Sequence, residues 1–241
     1  MKRKAESGIM SENGSGPSSR HGEKHSPASA RDHWHEAGLH VKARGLACQR
    51  GERLVFSQLD FRVDAGQALS VTGANGAGKT SLLRLVAGLL PVMAGHLDLP
   101  CGAQGCHYLG HRNALKPHMT VAEDLRFWTA FLGGDNWQGA QATHLAAAGL
   151  TYQADLKTGD LSAGQGRRLA LARLLGAPRP VWLLDEPLTA LDAQGRDWLT
   201  ALATAHLQKG GLIVAATHEP LDFSTATLNL PDPKNTGVPD A

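Results

Sequence analysis

The stretch from residue 73 to residue 80, GANGAGKT, places glycines, a lysine and a threonine at the spacing G-x-x-x-x-G-K-T. Glycines let consecutive backbone N–H groups turn inward around an anion. Apolar residues before the stretch predict a strand, and leucines after it recur at helical spacing. A helix that begins near Lys79 points its positive end at the same anion. This pattern favours phosphate binding over a chance glycine-rich turn.

Two side chains of this loop have further predicted roles. Lys79 can reach the β- and γ-phosphates of a nucleoside triphosphate and take part in catalysis, and the Thr80 hydroxyl can bind Mg²⁺. The predicted nucleotide-binding residues of the loop are Gly73, Ala74, Asn75, Gly76, Ala77, Gly78, Lys79, Thr80 and Ser81.

Two carboxylates, Asp185 and Glu186, follow the apolar run VWLL. Four apolar residues in a row predict a buried strand of a parallel sheet, and such sheets bind ligands at the carboxyl ends of their strands. Asp185 is therefore expected to hold Mg²⁺ through water, and Glu186 to orient or deprotonate a water molecule. An apolar run before two acids is a weak signal alone, but here it follows a matching phosphate loop.

His218 ends a third apolar run, LIVAAT. A histidine after a strand is usually part of the polar surface. Here it is expected at the same sheet edge as Lys79 and Asp185, and this position favours a catalytic contact to the γ-phosphate.

These residues require a sheet whose strand ends meet at one edge. Strands alternate with helices along most of the chain, which predicts an α/β fold with a mainly parallel sheet. An all-helical stretch from about residue 119 to 176 interrupts this alternation and is expected to form a subdomain. Thr120 and Glu123 form a capping box at its start. The helix after the phosphate loop is expected to reach Leu90, just before a proline.

Composition separates a central domain from two tails. Residues 1–37 are rich in Ser, Gly, His and charge, so a disordered extension is expected there. Residues 38–228 are predicted to form the domain, and residues 229–241 a flexible tail. Four histidines of the extension, at positions 21, 25, 33 and 35, leave metal binding as an alternative to a solvated tail.

Charge and cysteine content disfavour several classes of protein. A net charge of +2 gives little reason to expect nucleic-acid binding. Three cysteines do not make a disulfide framework. Cys101 and Cys106, before His107, resemble a stretched haem-attachment motif, although small buried residues are the favoured interpretation. The sequence has no signal-peptide pattern and its most apolar stretch contains a charge, so a cytoplasmic chain without membrane insertion is expected.

The motifs GANGAGKTS, LSAGQ, VWLLDEP, ALD and ATH, in this order over about residues 39–220, resemble those of ABC-type ATPases. LSAGQ (residues 161–165), the signature motif, is the most specific of them. The resemblance implies a P-loop NTPase fold with a small antiparallel β subdomain and an inserted helical subdomain. It also implies that two copies pack head to tail around ATP. Ser162, Gly164 and Gln165 would then meet the γ-phosphate bound to the other copy, and Asp192 would link the two sites.

Three longer stretches, ACQRGERLVFSQLDF, GKTSLLRLVAGLLPVMAG and HYLGHRNALKPHMTVAEDLRFW, resemble the CcmA family of haem-export ATPases. This resemblance implies hydrolysis of ATP, with Mg²⁺, to power haem export or haem-chaperone release in c-type cytochrome biogenesis. The implied partners are a second copy and integral membrane permease subunits (CcmB- and CcmC-like), at the cytoplasmic face of the bacterial inner membrane.

Three other functions remain as alternatives at this point. They are the ATPase of another small-substrate exporter, a non-transport ABC ATPase that acts on DNA or ribosomes, and an adaptor that binds ATP without hydrolysing it. A single set of motifs disfavours the non-transport ATPase, and the intact Glu186 and His218 disfavour the adaptor.

Three positions depart from the usual ABC pattern. His111 stands where most members carry a glutamine that contacts Mg²⁺ and water, and it is retained as a predicted metal contact. Arg50 replaces an aromatic residue that stacks on adenine, and a guanidinium can also stack on a base. Ala163 replaces a signature glycine and is small enough to be tolerated. The neighbouring Arg167 and Arg168 are predicted to be surface or interface charges.

Overall fold

The computed structural model describes residues 38–134 and 137–231. The strands within these ranges are β1 (His40–Arg50), β2 (Arg53–Asp64), β3 (Ala68–Thr72), β4 (Ala94–Asp98), β5 (Cys106–Leu109), β6 (Val181–Asp185), β7 (Leu212–Ala216) and β8 (Ala226–Asn229). The α-helices are α1 (Lys79–Val86), α2 (Val121–Phe131), α3 (Trp137–Ala147), α4 (Ala163–Gly176) and α5 (Ala193–Gln208).

A parallel sheet of five strands, in the order β5-β6-β7-β3-β8, forms the centre of the fold. Every residue of β6 and β7 is buried, as expected for parallel strands that are covered on both faces. Helix α1 packs against β6 and β7, and α5 packs against β7. The carboxyl ends of β3, β6 and β7 therefore meet at one edge, where their following residues converge.

A second, antiparallel sheet has the strand order β2-β1-β4. Strand β2 alternates between buried and exposed residues near its end, with Leu59 and Val63 buried, which is the pattern of a strand with one solvated face. Phe56, from the same strand, joins the apolar core that also contains Leu82 and Leu83 of α1. The small sheet is thus packed onto the helix that follows the phosphate loop.

Helices α2, α3 and α4 form a separate apolar cluster, in agreement with the predicted helical subdomain. Thr120 and Glu123 make the expected capping box at the start of α2, with both bonds present. The residues that fill this cluster are Val121, Leu125, Leu145, Ala148, Leu150, Leu169 and Ala172. The α/β fold with two sheets and a helical insertion is confirmed.

The first helix is shorter than predicted. It ends at Val86 rather than near Leu90, because Gly88 takes a φ of +70° directly after the cap. Gly88 donates to the Leu85 carbonyl and Leu89 donates to the Arg84 carbonyl. These two bonds are the Schellman arrangement that ends many helices at a glycine.

The predicted C-terminal tail begins too early. Asn229 is the last residue of β8, where it pairs with Thr72 of β3. Leu230 is 1% exposed and its N–H donates to the Thr72 carbonyl. The sheet therefore continues past the predicted limit at residue 228, because β8 adds to the parallel sheet. The predicted extension of residues 1–37 lies outside the described residues, as do residues 232–241.

Candidate active site

The phosphate loop connects the end of β3 to the start of α1. Gly73 has a φ of +138° and Gly78 a φ of +104°, where residues with a Cβ atom are strained. A Cβ atom on Gly78 would also lie 2.5 Å from Cγ1 of Val55. The loop thus packs directly against β2, and only glycine can occupy this position.

Lys79 is the first residue of α1 and is 8% exposed. Its Nζ donates to the carbonyls of Gly73, at 2.8 Å, and Ala74, at 3.2 Å. Burial lowers the pKa of the Lys79 ammonium, and the carboxylates of Glu186 and Asp185 act in the opposite direction. The lysine is therefore a fixed cation at the mouth of the loop.

Thr80 and Asp185 come from different elements and meet at the sheet edge. The Thr80 hydroxyl lies 2.9 Å from one Asp185 carboxylate oxygen and 3.1 Å from the other. Asp185 is 2% exposed and ends β6. Three oxygen atoms of the kind that Mg²⁺ prefers are thus gathered at one point, as the sequence spacing predicted.

Glu186 follows Asp185 in an unusual backbone conformation, with a φ of +51°. Its N–H donates to the Ala216 carbonyl at the end of β7, so the turn is tied to the neighbouring strand. Nε2 of His218 lies 3.4 Å from Glu186 Oε1. The carboxylate and the imidazole of the two predicted catalytic residues therefore lie next to each other.

These residues face one cavity of about 980 Å³, a volume in the range of ligand sites. Its lining includes Arg50, Asn75, Gly76, Gly78, Lys79, Thr80, Ser81, His111, Asp185, Glu186, Thr189 and His218. Arg50 and His111, which were predicted from departures in the family pattern, are thus in the same cavity as the loop. Of the other predicted loop residues, Gly73 and Ala74 bond to Lys79 through their carbonyls, and Ala77 is buried.

Ser162, Gly164, Gln165 and Asp192 lie outside this cavity. Within the described chain, Ser162 and Gln165 form a capping box at the start of α4, with bonds of 2.9 and 3.2 Å. Asp192 caps α5 through Gly195 and forms an ion pair with Arg168. This ion pair is the largest reason why the pKa of Asp192 is lowered. The single chain therefore does not bring the signature residues to its own phosphate loop.

Arg167 differs from its prediction as a surface or interface charge. The residue is 2% exposed because its guanidinium points inward beneath the carboxyl end of β6. It donates to the carbonyls of Asp185 and Glu186, both at 2.8 Å. Sequence reasoning missed this role, because the acceptors are backbone atoms distant along the chain. Arg168 is partly exposed and matches the prediction more closely.

The sequence also left a metal site and a haem-attachment motif as alternatives. The four histidines of the extension lie outside the described residues. Cys106 is buried, and Nε2 of His107 donates to the Ala177 carbonyl at 2.5 Å. Among the described residues there is no group of three His, Cys, Asp or Glu side chains that could hold a metal ion. Among the helices of residues 38–134 and 137–231, none combines the length and the hydropathy of a membrane span.

The match to a protein family shows to which class of protein the chain belongs. Residues 56–189 match the ABC transporter family. Solved structures agree on the fold: a putative ABC transporter ATP-binding protein from Pyrococcus furiosus superposes with a TM-score of 0.70 at 21% identity, over 79% of this chain and 97% of that chain. A dimeric ATP-binding cassette in a post-hydrolysis state, bound to ADP and Pi, gives a TM-score of 0.70 at 22% identity, over 79% and 94%.

Curated relatives of higher sequence identity show the particular family within the ABC transporter class. A cytochrome c biogenesis ATP-binding export protein, CcmA, from Rhodopseudomonas palustris (strain BisB18) is 54% identical over 198 residues, which is 80% of this chain and 98% of the relative. The CcmA protein of Nitrobacter winogradskyi is 50% identical over the same shares of the two chains. The chain belongs to the CcmA family of ABC transporter ATP-binding proteins. The resemblance seen in the sequence is confirmed.

Proposed function

We propose that the chain is the ATP-hydrolysing subunit of a transporter that powers haem export or haem-chaperone release in c-type cytochrome biogenesis. The observation that carries the proposal is the convergence of Lys79, Asp185 and Glu186 at one cavity. The names of its CcmA relatives support the export role. An adaptor that only binds ATP would have no need of a carboxylate and an imidazole placed side by side.

Hydrolysis requires a water molecule in line with the γ-phosphorus and stabilisation of the developing charge. Glu186 would orient this water and accept its proton. His218, 3.4 Å from Glu186, would contact the γ-phosphate. Lys79, held as a fixed cation, would stabilise the charge on the phosphate oxygens without reorganising during the reaction. Arg50, at the same cavity, would stack on the adenine.

Mg²⁺ fits the oxygen donors at the sheet edge. Thr80 and Asp185 would hold the ion, since their oxygens already lie within 3.1 Å of each other and hard oxygen ligands suit Mg²⁺. When bound, the ion neutralises charge on the β- and γ-phosphates. His111 faces the same cavity and is proposed as a weaker contact, because an imidazole nitrogen is a softer ligand than oxygen.

A second copy of the chain would complete the site. Ser162, Gly164 and Gln165 would approach the γ-phosphate bound by the other copy, and Asp192 would connect the two sites. Enzymatic rate accelerations need roughly 8 kcal/mol or more, whereas one exposed helix terminus contributes only about 0.3–1 kcal/mol. An isolated copy should therefore hydrolyse ATP slowly. The dimeric arrangement of a solved relative in fold supports this proposal.

The test of the catalytic assignment is Glu186→Gln in the chain assembled with its permease subunits. We expect the hydrolysis rate to fall at least about 100-fold, the contribution typical of general-base catalysis, while ATP still binds. Asp197→Asn, an exposed acid on α5, is the matched control and should leave the rate unchanged. Unchanged hydrolysis by Glu186→Gln would show that another group activates the water.

The proposed transport role is tested by where the chain is found in the cell. The chain is proposed to act at the cytoplasmic face of the bacterial inner membrane, bound to integral permease subunits. It should sediment with membranes only when those subunits are co-expressed, and the loss of hydrolysis in Glu186→Gln should also stop maturation of c-type cytochromes. Sedimentation that does not depend on the subunits would contradict the role.

A further inference from the structure

We propose that Arg167 is a positioning residue for hydrolysis, which fixes the backbone of Glu186 and connects it to the loop of residues 110–113. The inference rests on the proposed role of Glu186 as the base. Arg167 lies outside the lining of the cavity, so it acts through the groups that it holds.

The contacts of Arg167 form a single set around the end of β6. Besides the two bonds at 2.8 Å to the carbonyls of Asp185 and Glu186, Nε donates to the Pro187 carbonyl at 3.3 Å. Three consecutive carbonyls are therefore bound by one rigid, planar group. A guanidinium is suited to this task because its donors have a fixed fork geometry.

The segment that Arg167 binds has a strained backbone. A residue other than glycine in the left-handed region costs of order 1–3 kcal/mol and persists only where its surroundings hold it. Glu186 is in this region, with a φ of +51°. The Glu186 carbonyl accepts from Arg167 at 2.8 Å and, over a longer distance of 3.2 Å, from the Thr189 N–H. The Glu186 N–H donates to the Ala216 carbonyl, so Arg167 supplies the shorter of the two bonds to this carbonyl. Without the guanidinium, the turn can relax and move the Glu186 carboxylate.

The other side of the guanidinium binds the loop that follows β5. Nη1 donates to the Gly110 carbonyl and to Oδ1 of Asn113, both at 3.1 Å. His111, between these two residues, faces the nucleotide cavity. One buried side chain thus ties the loop that carries His111 to the turn that carries Glu186. A displacement of either segment is transmitted to the other through Arg167.

The same helix supplies a natural comparison. Arg173, two turns along α4, is 3% exposed and also binds this loop, through the carbonyl of Asn113 at 2.7 Å. Its charge is paired with Asp124, whereas the guanidinium of Arg167 bonds to carbonyl and amide oxygens. Burial lowers the pKa of both arginines. The two residues share burial, charge and loop contact, and differ in contact with residues 185–187.

The experiment measures ATP hydrolysis by the full chain, assembled with its permease subunits, that carries Arg167→Gln or Arg167→Lys, with Arg173→Lys as the matched control. We expect kcat to fall roughly 10- to 100-fold in both Arg167 variants, with KM for ATP changed less than about 3-fold. Lysine should restore little, because a point charge cannot span five acceptors. Arg173→Lys should lower the melting temperature and leave kcat within about 3-fold of the parent.

A double variant separates positioning from general structural support. If Arg167 acts through Glu186, Arg167→Gln added to Glu186→Gln should lower hydrolysis no further than Glu186→Gln alone. Additive losses, a rise in KM at unchanged kcat, or an equal loss of kcat in Arg173→Lys would each overturn the inference. A full rate of ATP hydrolysis in the single variant Glu186→Gln would instead overturn the proposed role of Glu186 as the base. This outcome is distinct from the outcomes that test Arg167. Thermal unfolding of each variant sets an assay temperature at which all are folded.

Discussion

The polar groups of the nucleotide cavity find their partners in a different way from those of the signature region, which comprises Ser162, Gly164 and Gln165 at the start of α4 and Asp192 before α5. In the cavity, Lys79 and Asp185 are buried and bonded to groups of the same chain. At the start of α4 and α5, the caps leave polar side chains toward solvent, and the Asp192 side chain is 67% exposed. The phosphate-loop residues are therefore organised within the chain, whereas Asp192 and the cap of α4 face outward, as the proposed pairing with a second copy requires.

The largest expected effect comes from breaking a buried ion pair in the helical subdomain. Asp124 and Arg173 form an ion pair of 2.7 Å with side chains 0% and 3% exposed. Asp124→Ala leaves a buried guanidinium without its carboxylate, and breaking such a pair costs about 3–5 kcal/mol. Urea unfolding should show this loss, with the transition of α2–α4 separating from that of the sheet.

The control for this pair is Glu219→Ala, which breaks the exposed ion pair with Arg196. Exposed pairs contribute little, so stability should be nearly unchanged. Equal losses in the two variants would contradict the expectation that the buried pair, and not the exposed one, stabilises the helical subdomain.

Low pH tests how much two buried histidines, one beside α4 and one on α5, contribute to the stability of the fold. Burial lowers the pKa of His107 to about 4 and that of His206 to about 3. His107 bonds to the residue after α4, and His206 of α5 stacks on Trp182 of β6. Both imidazoles are neutral in the fold, so stability is complete above pH 6.5 and falls below it as the unfolded chain takes up protons.

At pH 5 we expect a loss of about 2 kcal/mol for each histidine, from a linkage of about 1.36 kcal/mol per pKa unit. The measurement is urea unfolding between pH 7.5 and pH 5. His206→Gln should reduce the pH dependence, whereas substitution of the exposed His96 should not. A pH dependence identical to the parent in His206→Gln would contradict this explanation.

The smallest expected effect is on the signature cap. Ser162→Ala removes a helix cap that contributes about 0.5–2 kcal/mol. ATP binding by the isolated chain should not change, because Ser162 lies outside the cavity, while hydrolysis by the assembled complex should fall. Equilibrium binding of ATP to the isolated chain checks the first part. Weaker binding would indicate that the signature region acts within its own chain.

The sequence pattern was sufficient to predict contacts between residues that are near in sequence. It was also sufficient for residues that follow parallel strands, because those strand ends meet at one edge of the sheet. The phosphate loop, the capping box at Thr120 and the neighbouring positions of Asp185 and His218 follow from such patterns. Arg167 could not be placed this way, since its acceptors at residues 110, 113 and 185–187 depend on how β5 and β6 pair. The early end of α1 had a signal, Gly88, but the leucines that continue the apolar spacing beyond it outweighed that signal.

The position of β3 one strand from the sheet edge has a practical consequence for engineering the chain. In the described part of the chain, β8, four residues long, is the strand on the outer side of β3. A Cβ atom on Gly73 would lie 2.8 Å from the Leu230 carbonyl oxygen, so the residue after β8 packs against the phosphate loop. A truncation after Thr225 would turn the strand that feeds the phosphate loop into an open edge, which invites pairing between molecules. Reporter fusions should therefore be joined beyond residue 231, so that their attachment does not disturb the loop.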